Sequence, residues 1–157
     1  MCKSYRILPD FDAWSIDATV MFHGNLSNRY LVWVSTAGGN PLSLWIAKMN
    51  SPYDISPNRV LLRVPQAEWE CYDGCVNEGP NFLYNRGVSY LIFSASSTWG
   101  PNYSLGMMSI TPDKDPLVPS NWWYGPPGPV FYRNDAEGVY TTGHAAFTLS
   151  PGKYLHC

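Results

Sequence analysis

Charge is what this chain has least of. Only 14% of its 157 residues are Asp, Glu, Lys or Arg, and the formal charge is -2. That balance gives no electrostatic reason to expect a nucleic-acid or anionic-membrane partner, either of which calls for a basic surface. No run of apolar residues reaches the roughly 18 needed to span a membrane as a helix. The opening Met1-Cys2-Lys3-Ser4-Tyr5 lacks the apolar stretch of a secretory signal. Cysteine is scarce too, with four in all. Cys71 and Cys75 are close enough for a local disulfide in an oxidising compartment, whereas Cys2 and Cys157 stand at the two ends. A zinc site from these cysteines plus His144 or His156 would have poor spacing.

Aromatic residues make up 15% of the chain, and 13 glycines and 14 prolines punctuate it. Many aromatics, few charges and dense turn residues favour short twisted strands over helices, so an all-β fold is expected. Tryptophan and tyrosine suit a surface that stacks on sugar rings, and they suit a β core equally well. Two glycosylation sequons occur, Asn25-Leu26-Ser27 and Asn102-Tyr103-Ser104.

No linker or low-complexity tract divides the chain, but a repeat organises it. A first unit runs Ile16-Asp17-Ala18-Thr19-Val20-Met21-Phe22, turns at His23-Gly24-Asn25, continues through Tyr30–Ser35 and Leu42–Ala47, and closes near Asp54. A second runs Asn77-Glu78-Gly79-Pro80-Asn81-Phe82-Leu83-Tyr84, turns at Asn85-Arg86-Gly87, continues through Tyr90–Ser94 and Tyr103–Ile110, and closes near Asp115. Asp17 to Asp54 is 37 positions, Glu78 to Asp115 is also 37, and Asp17 to Glu78 is 61. A third unit starts at His144-Ala145-Ala146-Phe147-Thr148-Leu149 and turns at Ser150-Pro151-Gly152-Lys153. Four short strands per unit, joined by Gly, Pro and Asn turns, make a propeller blade, with a β-sandwich as the alternative. The units fall at about 10–70, 71–136 and 137–157. In a propeller the first strand of each blade lines the axis, so Asp17, Glu78 and His144 are expected to converge.

Two carboxylates facing one pocket are the raw material for cleaving a glycosidic bond: one donates a proton to the leaving oxygen, another works ionised. Apolar walls or a nearby negative charge hold such a donor protonated. Asp17 supplies the charge beside Glu78; Trp14, Trp99 and Tyr103 supply apolar walls and rings that stack on a sugar. Singly, each carboxylate also fits a turn-capping role, Glu78 before Gly79-Pro80 and Asp17 before Ala18-Thr19.

Several segments resemble glycoside hydrolase family 43, and particularly its α-L-arabinofuranosidases. They are Trp14-Ser15-Ile16-Asp17-Ala18-Thr19-Val20, Val76-Asn77-Glu78-Gly79-Pro80, Ser94-Ala95-Ser96-Ser97-Thr98-Trp99, Tyr103-Ser104-Leu105-Gly106 and Gly143-His144-Ala145-Ala146-Phe147-Thr148, in order over nearly the whole chain. The resemblance implies a five-bladed propeller, here about two blades and the start of a further one, that hydrolyses arabinose or xylose linkages of plant polysaccharides with inversion. It puts Glu78 at the general acid and Asp17 at the aspartate that tunes and orients it. His144 falls at the axial histidine, beside a calcium or other cation in several members, although no cofactor is required. Trp14, Trp99 and His144 become substrate contacts. The family's general-base aspartate belongs to a blade ahead of the first unit, and Asp10 and Asp12 match a lead-in instead. The chain is therefore expected to be an incomplete copy, weakly active alone, of a family that is extracellular. Two other readings differ in class. One is a non-catalytic carbohydrate-binding remnant; the other, an interaction propeller of the kelch or WD kind, lacks its recurring Gly-Gly and Trp-Asp signatures.

Overall fold

In a computed structural model, residues 13–149 and 155–156 are described; Asp10, Asp12, Cys2 and Cys157 lie outside them. Ten strands and four single-turn 3-10 segments make up the regular structure there, with no α-helix. Strands β1 (Ser15–His23), β2 (Asn25–Ser35), β3 (Ser43–Ser51) and β4 (Asp54–Arg63) form one antiparallel sheet in chain order. Strands β5 (Asn77–Asn85), β6 (Val88–Ala95), β7 (Ser104–Ile110) and β8 (Trp123–Tyr124) form a second of the same order. A third ladder pairs β9 (Thr148–Leu149) with β10 (Leu155–His156). Two successive up-and-down sheets of four strands, with β1 and β5 side by side, are propeller blades.

Alternation explains which face of each blade is buried. Val32 and Val34 on β2 stand opposite Ile46 and Leu44 on β3, and this face packs on Leu91, Phe93 and Met108 of the second blade. All seven of these side chains are at most 2% exposed. The core is thus the seam between blades.

The fourth strand falls where sequence reading placed the end of a unit: Asp54 opens β4 and does not close the blade. The register is also offset by one from the 61-residue interval. Ile16 stands opposite Val34, and the next pair is Thr19 with Val32, so Asp17 and Ala18 form a bulge. Glu78 stands opposite Ser94, and the next pair is Asn81 with Ile92, so Gly79 and Pro80 form the matching bulge. Asp17 and Gly79 both have φ of 53°, in the left-handed region. Asp17 is therefore the equivalent of Gly79, 62 positions on, and Glu78 is the equivalent of Ile16. Matching one acidic residue to another concealed this, because the repeated feature is a backbone kink and not a charge. His144, outside any strand, is also left-handed, at φ 56°.

Candidate active site

The bulges draw the site together. A left-handed residue near the start of an inner strand turns its N–H and side chain off the ladder, toward the neighbouring blade. The Asp17 carboxylate, half-buried, accepts a hydrogen bond from the Gly79 N–H at 3.0 Å through Oδ2. Asp17 thus grips the backbone one residue beyond Glu78. Glu78 is itself half-buried, and the Tyr103 hydroxyl donates to its Oε1 at 2.5 Å. The His144 N–H donates to Ser94 Oγ at 2.6 Å, and the His144 Nδ1 lies 3.4 Å from the Tyr103 hydroxyl. A Cβ on Gly79 would come within 3.1 Å of His144 Nδ1 and 3.2 Å of Ser94 Oγ. Glycine here leaves room for the imidazole and accepts the left-handed backbone.

Asp17, Glu78 and His144 are therefore brought together, each from the head of an inner strand or its lead-in. Burial raises the Tyr103 hydroxyl well above its ordinary pKa of 10.0, and the bond to Glu78 adds to the rise, with smaller contributions from the Glu78 and Asp17 charges. Both carboxylates thus act electrostatically on one phenol. Tyr103 is only 2% exposed, so its ring is not open to stack on a sugar as the sequence suggested; its hydroxyl is the end that meets Glu78. Trp14 is 57% exposed and Trp99 is 95% exposed, on loops at the same end of the strands as Glu78. The 470 Å³ cavity lined by Met21, Phe22, Leu26, Phe82 and Tyr84 lies at the other end. Tyr84 is six residues along β5 from Glu78, roughly 20 Å away.

Sequence reasoning missed the group that fixes the start of β5. Glu70 has no exposure and forms an ion pair with Arg63 at 2.5 Å. Its Oε2 accepts from the N–H groups of Gln66 and Ala67, and its Oε1 accepts from Asn77 Nδ2 at 3.3 Å. The Glu70 carbonyl accepts from Val76 and Ser96. Arg63 ends the first blade, and Asn77 precedes Glu78. One buried carboxylate therefore ties the end of one sheet to the end of the next that carries Glu78. The only hint in the sequence was an acidic residue inside an apolar, turn-rich connector.

Between Glu70 and Asn77 the chain loops out and is closed by a Cys71–Cys75 disulfide, with Cα atoms 3.9 Å apart. Those two sulfurs are spoken for, which removes them from any zinc site. In the same loop, Asp73 accepts from the Asn102 N–H and side-chain amide and donates its own N–H to Ser96 Oγ, so it binds both ends of the segment that carries Trp99. The second sequon's asparagine is thereby engaged, whereas Asn25 sits exposed at a hairpin. For the cation implied beside His144, no group of three or more His, Cys, Asp or Glu is gathered among the described residues.

The sequence matches the family described as "Glycosyl hydrolases family 43" over residues 3–156. This chain belongs to that family. It is 36% identical over 147 residues to an extracellular exo-alpha-(1->5)-L-arabinofuranosidase of Streptomyces avermitilis, covering 92% of this chain and 30% of that protein. It is 32% identical to alpha-L-arabinofuranosidase B of Pyricularia oryzae, with coverage of 92% and 30%. Among solved structures, an alpha-L-arabinofuranosidase from Lactobacillus brevis superposes with a TM-score of 0.84 at 31% identity, over 92% of this chain and 44% of that one. A Bacteroides thetaiotaomicron endo-1,4-beta-xylanase gives 0.74 at 26% identity, covering 90% of this chain and 46% of that one. The family 43 chain thus spans less than half the length of these relatives. Propeller architecture is shared with its family 43 structural neighbours, which disposes of the sandwich alternative.

Proposed function

We propose that the protein to which this chain contributes is an inverting glycosidase of α-L-arabinofuranosyl linkages, with β-D-xylosyl linkages as second substrates. Glu78 is the general acid, giving its proton to the glycosidic oxygen as the bond to the anomeric carbon breaks. Water adds from the opposite face, its proton passing to a carboxylate base that no residue of this chain is assigned to supply. Asp17 orients the acid through the Gly79 N–H, and His144 with the exposed Trp14 and Trp99 meets the sugar. The observation that supports this reading most is the pair of bulges that lets Asp17 of one blade hold the backbone beside Glu78 of the next. The relatives' names support the arabinose preference and an extracellular setting.

The test uses aryl α-L-arabinofuranoside and aryl β-D-xyloside with the parent chain and Glu78→Gln. Turnover that falls by about 10²–10⁴-fold in the variant is expected of a lost general acid. Turnover that survives Glu78→Gln would remove Glu78 from the role. The non-catalytic reading has one favouring observation, the 95% exposure of Trp99, a ring free to stack on sugar. It predicts binding to arabinan without turnover, unchanged by Glu78→Gln and lost with Trp99→Ala.

A further inference from the structure

Tyr103 lies just ahead of β7, and the lead-in to the third blade closes over it. The Thr142 N–H donates to the Tyr103 carbonyl at 2.8 Å. Gly143 crosses the ring so closely that a Cβ there would be 2.4 Å from the ring carbons. A phenol enclosed in this way can turn its hydroxyl but cannot move its ring. The hydroxyl has one proton and two neighbouring acceptors, Glu78 Oε1 at 2.5 Å and His144 Nδ1 at 3.4 Å. The shorter, charge-assisted bond takes it. Ser94 is a further partner of the phenol oxygen, and its Oγ also receives the His144 N–H.

Glu78 needs such a partner. Its side chain has three rotatable bonds, whereas the acid must present one oxygen to the leaving group within a narrow range of directions. Asp17 holds the backbone beside it, through Gly79, and leaves the carboxyl itself free to swing. We propose that Tyr103 is a positioning residue for the acid: by donating to Oε1 from a clamped ring, it fixes the carboxyl and leaves Oε2 to carry the proton to the leaving oxygen. This rests on the reading of Glu78 as the acid. The third blade takes part because Gly143 and Thr142 hold the ring.

The chain has four glutamates, Glu68, Glu70, Glu78 and Glu137, so carboxyl carbon-13 labelling gives a spectrum simple enough to assign with Glu78→Gln. At fixed neutral pH, Tyr103→Phe should move the Glu78 carboxyl resonance and leave that of buried Glu70 in place. Replacing Tyr103 with 3-fluorotyrosine, which keeps the ring and strengthens the donor, should move it the opposite way, and this second variant answers the question if the first does not fold. A Glu78 resonance unmoved by both would overturn the proposal. Kinetics supply the functional half. A dinitrophenyl leaving group departs without protonation and an unsubstituted phenyl group does not, so Tyr103→Phe should lose about tenfold more on the phenyl arabinoside. An equal loss on both would make Tyr103 merely structural and overturn the positioning role. Absent turnover in the parent would count against the enzymatic reading of this chain, and the carboxyl resonance would still decide the contact.

Discussion

In the first blade the bulged position carries a carboxylate; in the second it carries no side chain at all. The backbone is the same in both, a residue at φ 53° two or three positions into the inner strand. Asp17 uses the kink to reach across to the next blade, whereas Gly79 uses it to be reached, with its N–H held by Asp17 and the space where a Cβ would sit taken up by His144 and Ser94. A repeated fold can thus be differentiated at one equivalent position by which blade supplies the carboxylate and which supplies the room. The seam between them is asymmetric in the same sense, because the buried ion pair lies on the connector leaving the first blade.

The largest effect is expected from that connector. Glu70→Ala leaves Arg63 buried and unpaired, and such a loss is worth about 3–5 kcal/mol. A urea midpoint that barely moves would show that the blades do not depend on the tie. Next comes the contrast at the bulges. Gly79→Ala must adopt a left-handed backbone and press on His144, which should cost about 1–3 kcal/mol. Asp17→Gly at the equivalent position removes backbone strain and should lower the urea midpoint less, while reducing arabinoside turnover. Equal losses of stability would erase the distinction between the two positions.

A smaller effect concerns alkaline pH. The folded state holds the Tyr103 proton to higher pH than the unfolded chain, whose phenols titrate near 10.0. The contribution is therefore whole below pH about 10 and is lost as pH climbs above that value. Chemical denaturation across that range should show stability falling with pH, with a shallower fall in Tyr103→Phe. An unchanged slope in the variant would place the titration elsewhere.

The strands were largely legible because β2, β3 and β6 carry short apolar runs bounded by Gly, Pro and Asn turns. Glu78 and Asp17 stood out as rare charges at strand heads, and the structure brings them together. Their equivalence was misread by one residue, since a φ value leaves no mark on a sequence when Asp and Gly fill the same kink. Glu70 stayed hidden because it sits in an irregular connector and its partners lie on the strands either side, Arg63 seven residues before it and Asn77 seven after. Tyr103 looked like a wall because its ring dominates its character in sequence, while only its enclosure shows that the hydroxyl alone is available.

The buried tie between Arg63 and Glu70 also alters how distance should be judged in this molecule. A change at the end of β4, on the outer strand of the first blade, acts through Glu70 on Asn77 and so on the stretch of chain that presents Glu78. Variants chosen on that outer strand for solubility or heat tolerance would then shift Glu78 without touching it. The outer rim is in this respect part of the aiming apparatus.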